Sequence, residues 1–196
     1  MKLVEAILET PQFISPAKVL TDLGLKSGMN VIDYACGAGH WSAYAAKIVA
    51  PGGKVLAIEN NIDMLNLVRS KAELQGITNI DVEEIELEKG ISKKAKPADI
   101  VIVSNILHLI KDKQLFVNKA TKMVKKDGKL LFIDWVPRKT LFGPPVEMRV
   151  SEEGVMELFE KAGLHFACTV MAGVDHFGLI FDYKGEGCDW EKSTTE

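Results

Sequence analysis

Between Asn30 and Gly39 the chain sets an acid, Asp33, at the end of an apolar run and follows it with Tyr34-Ala35-Cys36-Gly37-Ala38-Gly39. Glycines at such a place let a ligand approach the backbone, and a helix starting at His40 would turn its positively polarised N-terminus toward that ligand. Nucleotide-like molecules are the natural occupants. A dinucleotide fingerprint needs a third small residue three positions after Gly39, and Ser42 fills that role only partly. Histidine is the natural proton acceptor near neutral pH, so His108, His176 and His40 are the candidates for a general base. The cysteines, Cys36, Cys168 and Cys188, are odd in number, widely spaced and without a C-x-x-C pair. That pattern predicts neither a disulfide framework nor a zinc site, and it suits a reducing compartment.

These residues are positioned by a repeating grammar. A helix from about Ser15 to Leu23 precedes the strand Asn30 to Asp33. Then come a helix from His40 to Val49, a turn at Pro51-Gly52-Gly53, a buried strand Lys54 to Glu59, and a helix from Ile62 to Gln75 stopped by Gly76. Ile80 to Leu87 reads as a third strand whose glutamates suit a sheet edge, where charge discourages unwanted pairing. Ala98 to Ser104 is a near-continuous β-branched run, as a strand buried on both faces requires. A helix from about Asp112 to Val124 and a strand from Lys129 to Trp135 follow. Pro137 to Val150 is a Pro/Gly-containing loop, Ser151 caps a helix ending near Ala162, and Leu164 to Met171 with His176 to Tyr183 form a terminal hairpin.

Strands alternating with helices imply right-handed crossovers, and ligands then sit beyond the carboxyl ends of the strands. The expected class is α/β: a three-layer αβα sandwich around a seven-stranded, mostly parallel sheet with a C-terminal antiparallel hairpin. One domain is expected over residues 1–184, with a flexible polar tail over 185–196. The 196 residues carry a net charge of -3, which argues against a protein devoted to sequence-independent nucleic acid binding. Glu5 and Glu9 interrupt the apolar N-terminus, and no run reaches membrane-spanning length, so a cytoplasmic protein without membrane insertion is expected.

The loop resembles the first motif of class I, Rossmann-like S-adenosylmethionine (SAM) dependent methyltransferases, an acid followed by alternating glycines at the end of strand one. Asp33, Gly37 and Gly39 match, and Ala35 stands for the first glycine. Glu59, about twenty residues further on, matches the acid that takes both ribose hydroxyls. The resemblance covers Ser15 to Tyr183 and is similar to the quinone-biosynthesis C-methyltransferases and the arsenite methyltransferases. It implies SAM as cofactor, with Tyr34 in the glycine loop and Asn60 and Met64 flanking the adenine. It also implies Glu86 and Leu87 at the adenine's amine and ring edge, and Ser104 with Asn105 over the methionine moiety.

By the same resemblance His108 stands on the face where the methyl group emerges and is the first candidate for a base, with His176 second. Phe13, Phe142 and Trp135 would wall an apolar acceptor pocket, and Glu147 with Arg149 would recognise a polar acceptor or pair with each other. Arsenite chemistry needs several cooperating thiols, which this spacing does not supply. The expected function is methyl transfer to a small molecule. The rivals are a protein or RNA methyltransferase, a SAM-binding module without turnover, and a nicotinamide-dependent oxidoreductase.

Overall fold

In the computed structural model, residues 15–188 except Ile91 are described. Seven strands form one sheet in the order β3-β2-β1-β4-β5-β7-β6. They are β1 (Asn30–Tyr34), β2 (Lys54–Glu59), β3 (Ile80–Glu84), β4 (Ala98–Ser104), β5 (Val124–Trp135), β6 (His165–Val170) and β7 (His176–Asp182). The first five run parallel; β7 is antiparallel to both β5 and β6. Among the described residues five α-helices cover the faces: α1 (Pro16–Asp22), α2 (His40–Val49), α3 (Ile62–Leu74), α4 (Lys113–Lys122) and α5 (Glu152–Ala162).

The helices stop where local chemistry says they must. The Asn61 side chain accepts from Asp63 N to cap α3, Asp112 caps α4 through Leu115 N, and the Ser151 hydroxyl caps α5 through Gly154 N. One face of the sheet buries α4 and α5 through Phe116, Val117, Val155 and Phe159 against Leu130 and Phe132. The other buries α1 and α2 through Leu20, Trp41, Ala45 and Val49 against Val31, Ile102 and Ile133. The switch point falls between β1 and β4, whose neighbours lie on opposite sides, so the crevice opens above their carboxyl ends.

Three details differ from the sequence reading. The third strand ends at Glu84 because the chain folds back in a tight turn, with Lys89 N and Gly90 N both donating to Glu86 O. The fifth strand starts at Val124, five residues early, by pairing Val124 with Ala98 across a bulge; a side chain at Gly128 would meet Ala98 O at 2.8 Å. The cysteines correct the expectation that none pair. Cys168 and Cys188 form a disulfide with Cα atoms 5.7 Å apart. The turn from β6 into β7 carries the chain back along β6, which linear spacing does not reveal. Cys188 is buried, so the start of the predicted polar tail is pinned; residues 189–196 lie outside the described residues.

Candidate active site

The loop between β1 and α2 is built on left-handed backbone. Ala35, Gly37 and Gly39 have φ of 68°, 51° and 71°. Ala35 therefore holds a glycine-like conformation despite its methyl group, helped by Ala35 N and Cys36 N both donating to Ile58 O. The two glycines serve different ends. A side chain at Gly39 would meet Val68 Cγ2 at 2.8 Å, so this glycine lets α2 and α3 approach, whereas Gly37 faces open space.

That space is a cavity of about 570 Å³. Every residue expected at the cofactor lines it except Tyr34 and Gly39. Tyr34 lies beneath, stacked on Phe116 with ring centroids 4.7 Å apart, and its hydroxyl donates to Leu87 O. Glu59 ends β2 with one oxygen accepting from Gly37 N at 3.0 Å and the other from Asn60 N and Asn61 N. Three of the roughly four lone-pair directions of its carboxylate are thus engaged by backbone. Trp41 Nε1 donates to the Ser104 hydroxyl at 3.1 Å, tying α2 to the end of β4. Asn105 follows with φ 54°, a strained conformation beside the cavity.

The wall beyond β3 is braced from α4. Lys119 Nζ donates to Glu88 O and Gly90 O, and Glu88 Oε1 accepts from Lys111 N and Asp112 N at the start of α4. Sequence reasoning missed Glu88, Asn61, Trp41, Ile106, Leu109 and Ile110 as lining residues. Their neighbours in sequence were the only signal. The cavity has four carboxylates, Asp33, Glu59, Glu86 and Glu88, and among the described residues neither lysine nor arginine lines it.

Asp33 is fully buried and accepts from the Ser42 hydroxyl at 2.5 Å, which gives the partial third small residue a definite role. Burial pushes the Asp33 carboxyl up to about 6; the Ser42 hydrogen bond opposes the shift and the nearby Glu59 adds to it. Cys36 is the free buried thiol, and burial raises it out of the reactive range.

His40, the least favoured of the three as a base, lines the cofactor cavity; His108 and His176 do not. His108 Nδ1 lies 3.1 Å from the Asp134 carboxylate, a partner that nothing in the sequence around position 108 announces. His176 packs on Trp135 with centroids 4.1 Å apart, its Nε2 buried without a partner among the described residues. Burial weakens His176 as a base, and Arg149 adds to this, while Asp134 and Asp175 act the other way.

Arg149 lies over the Trp135 ring and commits all five N–H groups to its own loop: Pro144 O, Val136 O, Arg138 O, Phe142 O and the Thr140 hydroxyl. In this arrangement it shapes the loop and has no donor left for a ligand. Glu147 is exposed on that loop, and Phe13 lies outside the described residues.

Residues 25–184 match the sequence family described as "Methyltransferase domain". The chain belongs to that family. A crystal structure of a SAM-dependent methyltransferase from Aquifex aeolicus superposes on this methyltransferase domain with a TM-score of 0.79 and 29% identity, covering 92% of this chain and 96% of that one. The ubiquinone/menaquinone biosynthesis C-methyltransferase of Haemophilus ducreyi is 29% identical over 62% of this chain and 46% of its own length. The ubiquinone biosynthesis O-methyltransferase of Acinetobacter baylyi is 28% identical over 71% and 56%. The chain spans about half the length of the curated relatives it matches.

SAM is the cofactor, and the cavity suits it. A sulfonium and an ammonium group find four carboxylates there, whereas the pyrophosphate of a dinucleotide would meet them as like charges. The domain's SAM affinity is expected to rise as pH passes through about 6, because a cationic ligand selects the ionised Asp33. The apo fold has the opposite sign. The Asp33 pKa lies above its ordinary 3.8, so its contribution to stability is present below about pH 4 and lost as pH rises through about 6. The loss amounts to about 3 kcal/mol. Calorimetric titrations from pH 5 to 8 check this; Asp33→Asn should abolish the step in affinity.

Proposed function

We propose that the protein transfers the methyl group of SAM to a small, apolar or aromatic acceptor. The observation that carries this is the cavity at the switch point, which four carboxylates line and, among the described residues, neither lysine nor arginine does. Bound SAM supplies a methyl group already activated on a sulfonium, so the protein's work is to bind, orient and exclude water. Glu59 faces the ribose and takes a hydroxyl through the one lone-pair direction its backbone donors leave open. Asp33 faces the cationic end, Asn60, Met64, Glu86 and Leu87 hold the adenine, and Ser104 with Asn105 hold the methionine moiety.

On the acceptor side, Leu109 belongs to the cavity wall and is exposed, and the loop after β5 holds out Leu141 and Phe142, 86% and 67% exposed. These side chains and Trp135 suit an acceptor with apolar surface. The relatives' names place them in quinone biosynthesis, so phenolic and quinol rings are the acceptors to try first. Arsenite is disfavoured, because two of the three thiols are bonded to each other. His108 is the base for an acidic O–H or C–H, outside the volume the cofactor fills, with His176 as the second candidate. A cytoplasmic site belongs to the same reading. Among the described residues no helix is long and apolar enough to cross a membrane, while the Cys168–Cys188 bond weighs against a reducing compartment.

Calorimetry with SAM and NAD, followed by transfer of labelled methyl to phenols, RNA and protein, tests this. SAM binding with label in a phenolic or quinol acceptor is expected. NAD binding without SAM binding would sink the proposal, label in RNA or protein would replace the acceptor class, and binding without transfer to anything would leave a SAM-binding module.

A further inference from the structure

Resting on the reading of His108 as the base, we propose that Asp134 is a positioning residue that fixes the His108 imidazole as its Nδ1–H tautomer, so that Nε2 keeps the lone pair that takes the acceptor's proton. Asp134 is the penultimate residue of β5 and is fully buried, beside a His108 side chain only 8% exposed. One carboxylate oxygen lies 3.1 Å from His108 Nδ1 and accepts from Trp135 N at 2.8 Å; the other accepts from Leu107 N at 3.2 Å. With donors on both oxygens the carboxylate is purely an acceptor, so the hydrogen bond to His108 requires the ring proton on Nδ1. The neutral ring then has its lone pair on Nε2.

The same carboxylate holds the backbone and the ring of one short turn. Leu107 N and His108 Nδ1 belong to the 3-10 turn Leu107–Leu109 that follows β4, and Asp134 ties both to the end of the neighbouring strand. The turn therefore cannot shift or the ring rotate without breaking a buried, charge-assisted bond. Ile106 and Leu109, on either side of Leu107 and His108, belong to the cavity wall, so the clamp holds a turn whose two ends line the cavity. In the transfer step the acceptor's O–H or C–H bond breaks and its electron pair forms the bond to the methyl carbon. That carbon releases the sulfonium sulfur, and the proton passes to His108 Nε2. The imidazolium so formed is stabilised by Asp134, which keeps its own charge.

Nitrogen-15 NMR of the histidine rings tests the clamp without any acceptor. His108 in the wild-type protein should show a protonated Nδ1 and an unprotonated Nε2. Asp134→Ala should move population to the Nε2–H form, while Asp134→Asn, which keeps the shape and one acceptor oxygen, should fall between. SAM affinity should stay within about twofold in both variants, and transfer to whichever acceptor takes label should fall about tenfold or more in Asp134→Ala. An Nε2–H tautomer in the wild type, or an unchanged tautomer in a folded Asp134→Ala, would overturn the proposal. The wild-type spectrum decides it even where the alanine variant does not fold. A wild-type protein that binds no SAM would strike the methyltransferase reading and not the clamp. Full transfer by His108→Asn would overturn the assignment of the base that the clamp serves.

Discussion

Replacing Glu59 with alanine is expected to weaken SAM binding by more than about tenfold, the largest loss of affinity from any single substitution in the cavity. A hydrogen bond to a charged group contributes about 1.5 to 3 kcal/mol, and a factor of ten needs about 1.4 kcal/mol. Glu59 does more than meet the ligand. Its carboxylate accepts from Gly37 N, Asn60 N and Asn61 N, so it also joins the glycine loop to the start of α3. Alanine removes both functions and leaves three N–H groups to water. Glutamine separates them: its one amide oxygen keeps part of the backbone network but not the charge. Titration of SAM into both variants, with thermal melts alongside, distinguishes the roles. Unchanged affinity in Glu59→Ala would refute the ribose assignment, and a melt lowered in alanine but not in glutamine would locate the structural share.

Gly39→Ala should destabilise the fold by about 2 to 4 kcal/mol, whereas Gly37→Ala should cost about 1 kcal/mol and act mainly on SAM affinity. Both glycines have positive φ, so any side chain pays for left-handed backbone. Only Gly39 adds a clash. Its new methyl group would sit 2.8 Å from Val68 Cγ2 and 3.2 Å from Cγ1, and Val68 is a buried, β-branched residue that cannot swing aside. At Gly37 the methyl group would enter the open space of the cavity, where the cofactor must approach the backbone. Urea unfolding of the two variants gives the stability order, and calorimetry gives the affinity order. Equal effects at both positions on both measurements would contradict this division.

Much of the framework was legible because it depends on local pattern. His40 to Val49, Lys54 to Glu59 and Ala98 to Ser104 have the limits read from sequence, since periodicity, glycine punctuation and a run of β-branched residues act over a few neighbouring positions. The acid at the end of β2 and the acid before the glycines were legible for the same reason: a residue at a strand's carboxyl end in a parallel sheet is already placed at the crevice. The limits of β3 and β5 were not legible, because the turn at Glu86–Gly90 and the pairing of Val124 with Ala98 depend on contacts outside each strand's own run.

The sequence by itself determined the α/β class, the glycine loop and the place of Glu59 at the end of a strand, all properties of residue type and short spacing. The tertiary structure alone decided which groups share an environment. It joined Cys168 to Cys188, set Asp134 against His108 across 26 residues, and turned Arg149 inward on its own loop rather than outward. It also gathered carboxylates from four separate chain positions around one cavity. The reason is common to all of these. Strand order, not chain order, sets distance in the sheet: β4 lies between β1 and β5, and β7 between β5 and β6. Partners that are remote in sequence therefore become neighbours, and burial and Coulomb interactions act on them only after the sheet has formed.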